Sequence, residues 1–171
     1  CTNIGERVIS TNNDREKIFE SHIDGVVFIH PKTKKFIQGK YLERIKDLDE
    51  VPSPYLNGLL DKFFDGNLTP FIETNRGCPF TCSFCHTGAD YFHKLNKFSE
   101  QRVKDEIDYI GKRAGKLGIS NLHMADVNFG MYPQDKLTCE YLKESKEKYG
   151  WPKQIMATTG KNSKDRVMKI T

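Results

Sequence analysis

The sequence contains no apolar run approaching the roughly 18 residues that a membrane-spanning helix needs, and Cys1 to Glu6 have neither the basic start nor the apolar stretch of a secretory signal. It also lacks charge of one dominant sign: 27 Lys and Arg stand against 23 Asp and Glu, a formal charge of +4, which is too weak to mark a nucleic-acid binder. There is no repeated block and no low-complexity tract. Thr159-Gly160-Lys161-Asn162 lacks the glycine spacing and the hydroxyl residue of a phosphate-binding loop, so it reads as a plain strand-to-helix turn. What is present supports a folded α/β chain: 37% hydrophobic residues, with 11 Phe and 7 Tyr among them. The expectation is a cytoplasmic protein with no membrane partner. The lack of an initiator Met, and an end inside an amphipathic stretch, suggest a piece of a longer protein.

Five cysteines occur, an odd total that makes a poor disulfide framework. Cys78, Cys82 and Cys85 fall within eight positions of one another, while Cys1 and Cys139 stand apart. Arg76-Gly77-Cys78-Pro79-Phe80-Thr81-Cys82-Ser83-Phe84-Cys85 is therefore read as a metal loop. Gly77 and Pro79 let it turn three soft thiolates toward one centre, and such a set favours an iron–sulfur cluster, zinc or Cu(I). Three ligands leave one iron of a four-iron cluster without a protein thiolate.

Two regions differ along the chain, with the boundary near residue 67. In 1–67, Gly25 to His30 and Phe36 to Gly39 flank a polar turn and predict a hairpin. Residues 47–55, with two prolines and several acids, predict an extended connector. Leu56, Leu59, Leu60, Phe63 and Phe64 then recur at helical spacing and predict a short helix ending at Asp65-Gly66-Asn67. In 68–171 the pattern becomes strand, helix, strand, helix, strand. Residues 69–74 lead into the cysteine loop. Ser99 caps a helix with Val103, Ile107, Ile110, Ala114 and Leu117 on one face, closed by Gly118. Residues 119–127 form the second strand. Pro133 opens a second helix carrying Cys139, Leu142 and Tyr149 and ending at Gly150. Residues 154–159 form a third strand, and Asn162-Ser163 a cap for a further helix. Alternating units of this kind imply parallel strands with right-handed crossovers, and ligands of such folds gather at the carboxyl ends of the strands. The cysteine loop, Asp126-Val127-Asn128 and Thr158-Thr159-Gly160 all fall at such ends.

The spacing C-x3-C-x2-C with an aromatic residue before the last cysteine, met by Cys78, Cys82, Phe84 and Cys85 after a first strand, resembles the radical S-adenosylmethionine (radical SAM) superfamily. The likeness covers residues 68–171. It implies the first half of a partial (β/α)6 barrel, preceded by a hairpin-and-helix connector over residues 1–67. Residues 47–54 with 73–79 are similar to members that carry an upstream cobalamin (B12)-binding domain. No D-x-H-x-x-G lower-ligand motif occurs in 1–67, so cobalamin is expected only through a missing upstream domain. The resemblance further implies a [4Fe-4S] cluster on the three cysteines, with SAM chelating the open iron. It implies an enzyme that cleaves SAM reductively to methionine and a 5′-deoxyadenosyl radical, a small-molecule substrate, and an external donor such as flavodoxin or ferredoxin. Phe84 is expected beside the adenine. In place of the family's Gly-Gly-Glu-like segment stands Met124 to Gly130, where Asp126 and Asn128 are expected to serve SAM binding as acceptors for its ammonium group.

Two alternatives accompany this reading. A non-catalytic zinc module would need a fourth ligand from His93 or Cys139. An RNA-modifying radical enzyme would use Lys112, Arg113 and Lys116, but Glu106 and Asp108 on the same helix favour a solvated mixed-charge face.

Overall fold

The structure, a computed structural model, describes residues 2–160 and 164–170. It divides into two compact units, Cys1–Ile45 and Lys46–Thr171, so residues 46–67 belong with the sheet-bearing part.

In the first unit, α1 (Thr2–Ser10) is followed by α2 (Arg15–Ile18), whose first turn is capped by Asp14 accepting from the N–H groups of Glu16 and Lys17. The expected hairpin is present: β1 (Val27–Ile29) pairs antiparallel with β2 (Phe36–Gln38), Phe28 opposite Ile37. Lys34 supplies a positive φ in the turn, and the ring of His30 accepts from the N–H groups of Lys32 and Thr33. Phe19 packs on Phe28 with ring centroids 5.1 Å apart.

The second unit is built on three parallel strands in the order β3 (Phe71–Ile72), β6 (Asn121–Phe129), β7 (Gln154–Thr159). Between β3 and β6 lie β4 (Asn75–Arg76), β5 (Asn96–Lys97) and α3 (Glu100–Lys116). The crossover from β6 to β7 is α4 (Asp135–Tyr149), and α5 (Lys164–Ile170) follows. Ser99 caps α3 by accepting the N–H of Arg102, and Val103, Ile107, Ile110 and Ala114 are buried on one face, as their spacing predicts. Leu117, expected on that face, is instead the half-exposed C-cap residue, because Gly118 in the left-handed region ends the helix there. Gly150 likewise terminates α4 with φ of 71°. Pro133 precedes α4 rather than entering it, and the Asn162-Ser163 cap lies outside the described residues.

The helix expected over Leu56 to Phe64 does not form. Gly58 takes φ of 70°, which breaks any α-helical path, and the segment is a series of turns with one short 3-10 turn over Asp61–Phe63. Leu59 is left exposed, while Tyr55 is buried and its hydroxyl donates to Phe71 O and accepts Phe71 N–H, docking the segment onto β3. A buried network anchors its start: Ser53 Oγ donates to Glu106 Oε1 (2.5 Å), Arg102 Nε donates to the same oxygen (2.6 Å), and Arg102 also reaches Val51 O.

The core lies between the sheet and the two long helices, with Ile107, Ile110, Leu122, Met124 and Trp151 fully enclosed. The helices approach at Gly111 and Gly115, where a Cβ would come within 2.3 Å of Ser145 Oγ and of Tyr149 O respectively. Because β3, β6 and β7 run parallel, their carboxyl ends share one edge, and Phe129 stands opposite Thr159 there. Among the described residues no helix is long and apolar enough to cross a membrane.

Candidate metal-cluster site

The cysteine loop leaves β3 after Glu73 and is closed at its neck by pairing of β4 with β5, Asn75 opposite Lys97 and Arg76 opposite Asn96. Phe98 N–H donates to Thr74 O just outside that neck. Inside it, Cys78 N–H donates to Phe92 O at 2.8 Å and Cys85 N–H to Cys82 O at 3.0 Å. Gly77 has φ of 127°, and a Cβ there would meet Lys94 O at 2.3 Å, so glycine is required immediately before the first cysteine. None of Cys78, Cys82, Cys85 and Cys139 is in a disulfide.

The three loop cysteines are not equivalent. Cys78 is buried, and the Nδ2 of Asn128 donates to its sulfur at 3.3 Å. Cys82 and Cys85 are partly exposed, and Cys85 Sγ lies 3.2 Å from Thr87 Oγ1. Phe84, between them, is 85% exposed at the loop tip. Among the described residues no three His, Cys, Asp or Glu side chains converge to hold a single metal ion. His93 Nε2 faces Gly88 O at 3.0 Å, and Cys139 lies on α4 against the apolar core, its thiol pushed up to about 11 by burial.

Asp126 and Asn128 are both enclosed, at 1% and 2% exposure. Asp126 accepts from the N–H of Thr74 (2.8 Å), the hydroxyl of Thr74 (2.5 Å) and the N–H of Asn75 (3.2 Å). Its carboxyl is raised to about 6 by burial, against the lowering effect of those donors and with help from the nearby Asp135 charge. The structure thus directs Asp126 to the strand leading into the cysteine loop, and Asn128 to the first cysteine itself.

Asp135, Tyr132, Thr74 and Asn75 were not singled out by the sequence. Asp135 Oδ2 accepts the N–H groups of Gly130 (2.7 Å) and Tyr132 (2.9 Å), stapling the turn that follows β6. Burial pushes the Tyr132 phenol up to about 12, and the Asp135 and Asp126 carboxylates add to the effect against a lowering hydrogen bond with the Asn128 side chain. Asn75 Oδ1 and Asp135 Oδ1 are buried with no hydrogen-bond partner among the described residues. Buried polar atoms of this kind need a partner, and they lie on the elements that adjoin the cysteine loop. An acid in the first turn of a helix directly after a strand end is the one signal that could have pointed to Asp135. The basic side chains considered for RNA are engaged in part: Arg113 pairs with Asp61 at 3.0 Å and stacks on the Tyr109 ring.

A parallel α/β unit with a three-cysteine loop at the carboxyl end of its first strand defines a class of fold that places soft sulfur donors where ligands gather. Comparison with known proteins narrows the class. No family model matches the chain. It is 34% identical over 146 residues to the cobalamin-dependent radical SAM methyltransferase TokK of Streptomyces tokunonensis. It is 33% identical over 141 residues to the 2-(S-pantetheinyl)-carbapenam-3-carboxylate methyltransferase of Streptantibioticus cattleyicolor. Each alignment covers 79% of this chain and 20% of the relative, so the chain spans about a fifth of their length. Structures of the cobalamin-dependent radical SAM enzyme OxsB share the fold. The form with aqua-cobalamin bound has a TM-score of 0.53 at 19% identity, covering 97% of this chain and 25% of that one. The apo form has a TM-score of 0.54 at 18% identity, covering 97% and 24%. The chain is a relative of the radical SAM superfamily, on the side of its cobalamin-dependent members.

Proposed function

We propose that this chain forms the cluster-bearing start of a radical SAM enzyme, the first three units of a partial (β/α)6 barrel over residues 68–171, with residues 1–67 as the connector from an upstream domain. The observation that carries the reading is the C-x3-C-x2-C loop at the carboxyl end of the first parallel strand. Cys78, Cys82 and Cys85 would hold a [4Fe-4S] cluster, and the fit rests on three features. The donors are three cysteine sulfurs outside any disulfide, a buried amide N–H is directed at one of them, and Asn75 Oδ1, on the strand that leads into the loop, is buried without a partner among the described residues. When bound, the cluster and SAM would supply reductive C–S cleavage and a 5′-deoxyadenosyl radical.

The chain's own residues hold and enclose that chemistry. Asp126 fixes the approach to the loop through Thr74 and Asn75. Asp126 Oδ2 takes one protein donor, which leaves it a lone pair for an ammonium group of SAM. Phe84, exposed at the loop tip, offers a face and a backbone for the adenine. The names of the relatives support methyl transfer as the reaction; the reading adds a small-molecule substrate, cobalamin bound by a part of the protein upstream of this chain, and electrons from a flavodoxin- or ferredoxin-like donor. A cytoplasmic location suits a cluster sensitive to oxygen. Membrane and nucleic acid are not among the proposed partners.

The test is anaerobic reconstitution of the full-length protein with iron and sulfide. The expected result is a four-iron cluster whose spectrum changes on adding SAM, and formation of 5′-deoxyadenosine after reduction. Replacement of any one of the three cysteines by Ala abolishes that product. A colourless protein with stoichiometric zinc, or undiminished product from a cysteine variant, overturns the reading.

A further inference from the structure

Asn128 and Cys78 lie fifty positions apart in the chain, yet the side-chain amide of the first donates to the sulfur of the second inside the protein. Both are buried, which sets Cys78 apart from Cys82 and Cys85. The backbone that carries the amide is held by local hydrogen bonds. Asn128 sits near the end of β6, its carbonyl accepts the N–H of Met131 at 3.1 Å, and the following turn is stapled by the two N–H groups donated to Asp135.

An N–H directed at a ligating sulfur draws electron density from it and stabilises the more negative, reduced form of the centre. The effect is strengthened where water is excluded, as it is here. We infer that Asn128 sets the reduction potential of the cluster through Cys78, a role that acts on the ligand sulfur in the absence of SAM. This rests on the cluster reading above and assigns a positioning residue within it. Removal of the N–H raises the cost of the reduced state, so the midpoint potential falls. An aspartate places a second negative group against the thiolate and lowers it further.

The experiment uses the anaerobically reconstituted full-length protein without SAM. Midpoint potentials are measured by equilibrium redox titration for wild type, Asn128→Leu and Asn128→Asp, each at matched iron content. The expected order is wild type highest, Asn128→Leu lower and Asn128→Asp lowest. Equal potentials at full iron occupancy overturn the inference while leaving the cluster reading intact, whereas a wild type that assembles no cluster overturns both. Because a variant could lose the cluster outright, the unsubstituted protein provides a second readout. With isotopically labelled asparagine, pulsed electron paramagnetic resonance of the reduced cluster is expected to show coupling to a side-chain nitrogen. Absence of that coupling overturns the inference.

Discussion

Thr74 gives both its backbone N–H and its hydroxyl to the carboxylate of Asp126, at 2.8 and 2.5 Å. The pair ties the end of the first strand to the second just ahead of the cysteine loop, so the loop's entry is set by a buried carboxylate.

That burial has a pH consequence. With the Asp126 carboxyl raised from 3.8 to about 6, chiefly by desolvation, the folded state takes up the proton more readily than the unfolded chain. The associated stability is fully present below about pH 4 and is lost as the pH rises through about 6, with a full extent of roughly 3 kcal/mol. Asp126→Asn is expected to remove this component. Urea denaturation of wild type and variant across that window checks it, and parallel pH profiles for the two would contradict it.

Gly77→Ala is expected to damage the loop without touching a cysteine. Its φ of 127° and the 2.3 Å approach to Lys94 O leave no room for a Cβ, and the backbone strain alone is worth about 1–3 kcal/mol. A lowered melting temperature together with reduced iron uptake is the expected pair of results.

Asp135→Ala strips two N–H groups, of Gly130 and Tyr132, of their acceptor and is expected to cost about 1–3 kcal/mol. Asp135→Asn keeps an acceptor oxygen and is expected to lose less. Denaturant midpoints for the two variants give the comparison, and equal losses would place the effect in the charge rather than in the turn.

The ion pair between Arg102 and Glu106 is nearly enclosed, at 13% and 11% side-chain exposure. Arg102→Met leaves the carboxylate with only the Ser53 hydroxyl as a side-chain partner and is expected to destabilise by about 3 kcal/mol. Combining it with Glu106→Leu removes the stranded charge, and recovery of much of the loss in the double variant is the outcome to look for.

Several elements were legible in the sequence because short-range chemistry dictates them. Ser99 begins α3, Gly150 ends α4, and the spacing of Val103, Ile107, Ile110 and Ala114 gives the buried face. The segment 56–64 misled because its apolar residues repeat at helical spacing, while the left-handed Gly58 and the docking of Tyr55 on Phe71 favour turns. Pairing of β4 with β5 at the neck of the cysteine loop left no sequence signal, since each strand is two residues long.

The sequence by itself determined that three thiolates stand in a loop between a strand and a helix, because spacing along the chain alone places them there. Only the tertiary structure decided that Cys78 is the buried one, that Asn128 donates to it, and that Asp126 serves Thr74 and Asn75. Those contacts join residues about fifty positions apart, and such partners are chosen by how parallel strands align when the core closes, which no local pattern of residues encodes.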